Sequence, residues 1–399
     1  MRGVLTPARG GAAWLDVRAD LTLLPLLALA GFAAGGGMRL MDPLLPLLAA
    51  DFGVGVAAVA PVVAGFSLAY GAGQLITGPL GDRHGKLRVA SIALLLYGAG
   101  LAVSATAWDL SSMILLRTAT GLVAGAVIPL AIAWIGDAVP YAERQATIGR
   151  FLTGMVMAQL LVGPLSGVVA EVAGWRASFL LLAAMALLVG LLMARRAPAE
   201  TPSGSTRGLG LGQYLVLLRA PAGRRLMGAA ALDGAALFGG AFPFIGAFLI
   251  EHFGLSPGQA GLVVAGFGLG AFLYTRLAKR LVARLGEKGL LAAGGAGLAA
   301  ALAGTAAAPG WWAVALLQVP MGMAFYMFHG VLQARASEAL PEARATAVSA
   351  FAMALFLGQS LGALAFGAVL HAAGYGAVFA GAAALTAGLA VWVARMPVR

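Results

Sequence analysis

Cysteine is absent, charge is scarce, and no stretch of the chain carries a catalytic or nucleotide-binding signature. With no cysteine among 399 residues, disulfides, zinc thiolates, iron–sulfur clusters and cysteine nucleophiles are excluded. Only 10% of residues are charged, against about a quarter in an average soluble domain, so a water-soluble globular fold is excluded as well. No GxxxxGK[ST] loop is present to cradle the phosphates of ATP. HExxH does not occur, and the one GxSxG match, Gly358 to Gly362, lies inside a candidate span rather than at a strand-to-helix turn, which leaves an intramembrane enzyme without a supported nucleophile or metal site. No cofactor and no metal are expected.

What fills the chain instead is apolar: 61% of residues are hydrophobic, and glycine alone contributes 58. Small residues in such numbers suit membrane helices, whose backbones approach closely where side chains are short. A span needs about 20 apolar residues. The chain offers twelve candidates, at 22–48, 56–80, 87–107, 111–136, 146–171 and 175–195, then 224–251, 257–278, 288–308, 311–337, 344–371 and 375–395. The one long polar stretch, 196–223, reads as a linker, with a short apolar patch, Tyr214 to Leu218, suited to the membrane surface. Residues 1–21 and 396–399 form short tails; the N-terminal one has no small-residue cleavage site behind an apolar core and reads as a tail rather than a leader.

The net charge of +11 would suggest nucleic acid in a soluble protein. Here all basic residues except Arg39, Arg117 and Arg176 fall at the termini, in loops of one parity or at the span ends bordering them. That is a topology signal and argues against nucleic acid. The positive-inside rule then places both termini in the cytoplasm.

An internal repeat organises the rest. A shift of 200 residues brings Arg144 onto Arg344, Phe151 onto Phe351, Gln159 onto Gln359, Gly167 onto Gly367, Gly174 onto Gly374 and Phe179 onto Phe379. A shift of 201 superposes Arg83 and Gly85 on Arg284 and Gly286. The expected architecture is an all-α membrane protein of two pseudo-symmetric six-helix bundles, 22–195 and 224–395. Such halves place a substrate site between them near the bilayer midplane.

The loop after the second span, Gly78-Pro-Leu-Gly-Asp-Arg-His-Gly-Lys, needs a tight turn at Gly85. Asp82 can face the positive end of a helix, while Arg83 and Lys86 hold the loop at the basic side. The spacing of Gly78, Leu80, Asp82, Arg83, Gly85 and Lys86 resembles the signature loop of the major facilitator superfamily. Arg117 and Gly121 resemble that family's fourth-helix motif, although Thr120 stands where glutamine is common. Gly163, Pro164 and Gly167 resemble its fifth-helix antiporter motif, with Gln159 and Val168 in glycine positions. The resemblance implies alternating access between two rocking bundles. It also implies a conformational switch at the signature loop, with Asp137 as an acidic partner for the loop arginine. Ala283 stands where a second-half Asp82 would map, so the latch is expected to be one-sided.

Four charges fall inside spans, where they are costly and functional by default: Arg39, Asp42, Arg117 and Asp233. At 1.5 Å per residue, Asp42 sits about 12 Å and Arg117 about 9 Å from the outer end, and Asp233 about 14 Å from the inner one. Arg39 and Asp42, three apart, share a helical face. All three first-half charges are expected in one pocket in the outer half of the first bundle. Pro43, preceded by Gly35, Gly36 and Gly37, predicts a break beside them. The group reads either as a fixed ion pair that permits insertion or as a proton-linked gate. Asp233 has no basic neighbour in its own span, and His329 is expected near the cytoplasmic end, away from any site.

Tyr70, Gln74, Trp134, Gln159, Asp233, Tyr326 and Gln359 are the candidate substrate contacts, each also readable as packing. A cavity with few polar anchors suits amphipathic small molecules. The leading expectation is a secondary transporter of the inner membrane, monomeric by resemblance, exchanging protons for a small drug-like compound. A sugar, amino-acid or other metabolite transporter is the alternative. Protons, the substrate and the lipid bilayer are the expected partners.

Overall fold

The computed structural model describes residues 23–196, 211–339 and 344–396. The expected tail 1–21, half of the linker (197–210) and residues 397–399 of the C-terminal tail lie outside the described residues. Within them every regular element is helical. In chain order these are α1 (Leu24–Arg39), α2 (Leu45–Asp51), α3 (Val56–His84), α4 (Lys86–Ser104), α5 (Leu110–Ala138), α6 (Tyr141–Ala173) and α7 (Trp175–Arg196). Then come α8 (Leu211–Arg219), α9 (Pro221–Gly234), a π-helix (Ala235–Ala241), α10 (Phe242–Phe253), α11 (Pro257–Ala306), α12 (Trp311–Glu338) and α13 (Arg344–Ala394). Among the described residues, nine helical stretches are long and apolar enough to cross a membrane, and α1 is a shorter apolar helix.

Glycine decides where the chain turns back. At 50 and 51 residues, α11 and α13 would each run about 75 Å if straight, more than twice a bilayer's hydrocarbon thickness. Each folds at a glycine: Gly286 (φ 62°, ψ −177°) and Gly374 (φ 77°, ψ −178°). Their repeat partners Gly85 and Gly174 take the same left-handed φ, at 92° and 81°. Every positive φ among the described residues belongs to a glycine. Gly286→Ala is expected to destabilise the protein by about 1–3 kcal/mol, because its φ/ψ lies in a region essentially closed to other residues. Gly254→Ala, in the ordinary left-handed well (φ 67°, ψ 23°), should cost less, about 1–2 kcal/mol. Neither added methyl meets an atom within 4 Å, so the difference between the two melting temperatures isolates backbone strain.

The helices divide the surface into two faces. One, here the basic face, carries Arg83, Lys86, Arg88, Arg276, Lys279 and Arg284 near the helix ends; the other, the sparse face, carries Asp51, Asp109, Glu171, Arg176 and Glu251. Helices α1, α3, α4, α5, α6 and α7 pack among themselves, as do α9, α11, α12 and α13. The two groups meet where α6 lies on α11, α3 on α13, and α2 on α10.

These crossings are glycine seams. A Cβ at Gly261 would sit 2.7 Å from the Gly163 carbonyl oxygen, and one at Gly268 would press 2.9 Å from the backbone of Leu160. Gly167 abuts Pro257 and Gly258, and Gly246 abuts the Asp42 carbonyl. Without a hydrophobic drive between helices in lipid, such backbone contact supplies the packing. All of these approaches lie at the middle of the molecule or toward the sparse face. Glu171 seals the same side: its Oε1 accepts a hydrogen bond from the Gly258 N–H at the start of α11, where a carboxylate meets the positive helix end.

Candidate functional site

The break between α1 and α2 builds the centre of the site. Pro43 cannot continue the helix, and the chain passes through turns at 40–44 before α2 resumes. The glycines before it let α1 run close to its neighbours: Gly37 faces Tyr97 and Phe66, and Gly36 faces Val162. The expectation of a break beside the charges agrees with this geometry. Arg39 caps the end of α1 and faces Asp42 at 3.3 Å, without hydrogen-bond geometry at Arg39 Nη1 or Asp42 Oδ2.

Arg117, on α5, is held by the same break. Its Nη2 donates to the Gly37 carbonyl at 2.8 Å, and its guanidinium lies 4.1 Å over the Phe66 ring. Arg39 stacks in turn on Phe242 at 4.3 Å and Phe238 at 4.9 Å. Both arrangements are cation–π contacts. Arg39, Asp42 and Arg117 are 5%, 3% and 1% exposed. They line one small cavity of about 20 Å³, with Met38, Met41, Val63, Phe66, Ser67, Phe238, Pro243 and Gln359. The three charges do share a pocket, but not one inside the first bundle. Phe238, Pro243 and Gln359 come from the π-helix, α10 and α13, because α10 lies directly against the broken segment.

The π-helix explains why those phenylalanines reach in. Its seven residues 235–241 follow Asp233 and widen the helix by one residue per turn, a distortion found mostly at functional sites. Phe238 thereby stacks edge-on with Phe242, Phe267 and Phe325, at ring distances of 5.5, 5.7 and 4.8 Å.

Asp233 is fully enclosed and does have a partner. His329 Nδ1 lies 2.6 Å from Asp233 Oδ2, and its ring stacks on Phe325 at 4.9 Å. The expectation that His329 stands apart from any site is therefore overturned. Helix α12 meets α9 here, bringing together residues 96 positions apart.

Gln159 on α6 donates from Nε2 to the Tyr326 hydroxyl on α12 at 3.5 Å, a bridge between the two helix groups. Gln359 is buried on the cavity wall. Tyr70 is packed between Phe66 at 6.0 Å and Phe356 at 4.5 Å. Trp134 is a core residue, and Gln74 is half-buried, its carbonyl taking the Thr77 hydroxyl. Neither of these two lines the charged cavity. Gln318, which sequence reasoning missed, is fully buried on α12 with neither amide atom partnered. It falls 201 positions after Arg117, so the repeat contained the signal.

At the basic face, Gly85 makes the turn its spacing predicts. Asp137 is taken by Lys86 rather than by Arg83, which is exposed; Lys86 also reaches Asp82 at 3.6 Å. Lys86 opens α4 immediately after the turn, and its side chain points back toward α5. The second helix group also carries an ion pair at its basic-face turn. Arg335 at the end of α12 pairs with Glu287 at 2.6 Å, and Glu287 follows Gly286 as Lys86 follows Gly85. The charges are exchanged between the two pairs.

Comparison with known proteins agrees with this fold. The Major Facilitator Superfamily profile matches residues 27–241 and again 226–399. An uncharacterized transporter of that type from Bacillus subtilis, YwfA, is 33% identical over 40% of this chain, but the match spans only 39% of its own length. A second from the same organism, YceJ, is 27% identical over 83% of this chain and 85% of its own. Among solved structures, the nucleoside transporter NupG superposes with a TM-score of 0.78 at 17% identity, covering 94% of this chain and 99% of NupG. Apolar helices, glycine seams, a charged cavity between two helix groups and a profile matched along the chain converge, and this integral membrane protein belongs to the Major Facilitator Superfamily of transporters.

Proposed function

We propose that the chain is a proton-coupled secondary transporter working by alternating access, with Asp42 as the proton carrier. The observation that carries this is the buried Arg39–Asp42 pair beside Arg117, in a cavity walled by both helix groups. A titratable group at such a place senses both the substrate and the relative position of the two groups. In this reading the chain crosses the inner membrane twelve times as a monomer, α11 and α13 each supplying two spans, with the basic face in the cytoplasm. On the same reading the glycine seams belong to a state closed at the sparse face.

Gly78, Asp82, Arg83, Gly85, Lys86 and Asp137 form the switch at the basic face, while Gly163, Pro164 and Gly167 form the seam that parts on the other. Gln359 on the wall of the charged cavity, with Gln159 and Tyr326 at their bridge between the helix groups, contacts substrate. Tyr70, Gln74 and Trp134 serve packing in this state. Asp233 with His329 is the rival proton site. The proton gradient is an adequate source: one charge moving through 100 mV gives about 2.3 kcal/mol, and each pH unit adds about 1.4.

Export by proton antiport is the second reading, favoured by the α6 glycines lying on α11. Everted membrane vesicles with an internal pH dye, challenged with a panel of organic compounds, test both. At least one compound should move protons. Proton efflux from the acidified lumen on substrate addition marks antiport; proton movement in the opposite sense marks symport. No proton movement with any compound, in vesicles shown to hold the protein, overturns the proposal.

A further inference from the structure

We infer that the cargo of this cavity is an organic monoanion, a carboxylate on an aromatic or other apolar body, clasped by Arg117 and Arg39. The inference rests on the transporter reading above and adds the charge of what is transported. It starts from an imbalance. Two guanidinium groups and one carboxylate line the cavity, leaving one buried positive charge without a counter-charge. A charge held out of water is costly unless paired, and the other lining residues are Met, Val, Phe, Ser, Pro and Gln. The titratable side chains nearest the two arginines are Tyr97 and Tyr326. Tyr97 already donates to the Ala33 carbonyl and Tyr326 accepts from Gln159, so neither supplies the missing charge.

The unused donors say where the anion goes. Of the five N–H donors on a guanidinium, Arg117 commits only Nη2, to Gly37. Its Nε and Nη1 are buried without a hydrogen-bond partner among the described residues, and Arg39 Nη1 faces Asp42 Oδ2 at 3.3 Å without hydrogen-bond geometry. Phe66 covers one face of Arg117, and Phe238 and Phe242 stack on Arg39. A ligand therefore meets the guanidinium edges, and an edge with two adjacent N–H groups is the fork that matches a carboxylate. Apart from Ser67 and Gln359, the rest of the wall, Met38, Met41, Val63, Phe66, Phe238 and Pro243, is apolar and partly aromatic. It suits an apolar body behind the carboxylate and offers little to a hydroxyl-rich one. A monoanion neutralises the site, whereas a dianion such as phosphate would reverse its charge.

The test uses the full-length protein in detergent and in proteoliposomes. The probes are benzoate, 4-hydroxybenzoate, phenylacetate and hexanoate, each beside its own neutral amide. Calorimetric binding should show at least one acid bound ten-fold or more tightly than its amide. Arg117→Gln should remove that preference by at least ten-fold, and Arg117→Lys should restore part of it. Should Arg117→Gln fail to fold, Ser67→Asp, which adds a negative charge to the wall, is expected to abolish acid binding by itself. Equal affinity for acid and amide, binding of none of the acids, or tighter binding of inorganic phosphate overturns the inference. Proton-coupled transport of the amides with no preference for the acids would sink it while leaving the transporter reading intact.

Discussion

Asp42→Asn is expected to abolish proton-driven accumulation while leaving downhill exchange of substrate. Asparagine keeps the volume and removes the titration, so the site still forms but carries no proton. With one proton per substrate, a pH difference of one unit sustains about a ten-fold gradient, and the variant should lose all of it. Asp42 is buried against Arg39 at 3.3 Å. Its loss leaves Arg39 without a counter-charge, and breaking a buried pair this way costs about 3–5 kcal/mol. Exchange measured in the same proteoliposomes separates lost coupling from lost fold. Should Asp42→Asn still build a gradient while Asp233→Asn does not, the coupling belongs to the second helix group.

His329→Ala has the second-largest expected effect, on stability. Asp233 is 2% exposed, and His329 is its one hydrogen-bonding partner among the described residues. Truncating the imidazole strands a buried carboxylate, at about 3–5 kcal/mol. It also removes a ring stacked on Phe325. Replacing both residues with apolar ones of similar size, Asp233→Leu with His329→Phe, should recover most of the loss, because the stranded charge is gone. Thermal denaturation of the three proteins in one detergent checks this. A double variant no more stable than His329→Ala would show that the pair is held by more than its own charges.

Much of the fold was legible because its determinants are local. Apolar length marks spans, Gly85 and Gly286 sit at turns that only glycine tolerates, and Pro43 after three glycines marks a break. The Arg39–Asp42 contact was legible too, since residues three apart share a helical face. What escaped was set by helices meeting far apart in sequence. Nothing local to Asp233 points to His329, which lies 96 positions further along the chain and was expected away from any site. Nor does composition announce the π-helix that turns Phe238 onto Arg39. Arg117 was expected to serve Asp42, yet it bonds the Gly37 carbonyl that the broken helix exposes. A charge in lipid takes whichever acceptor the backbone frees, and sequence does not show which that is.

The two basic-face ion pairs bear on ancestry. Lys86 and Glu287 fall 201 positions apart, each directly after a turn glycine, with opposite signs. Their partners do not correspond: Asp137 maps onto Glu338, while Arg335 lies about one helical turn earlier. Two copies of one segment have each recruited a partner of their own across the same turn. Such exchange is tolerated where the groups are solvated, as Asp137 and Glu287 are, since such pairs are worth about 0–1 kcal/mol. The buried Arg117 differs: its counterpart in the other half is Gln318, a neutral residue, so the guanidinium of the charged cavity has no copy in a molecule otherwise built twice.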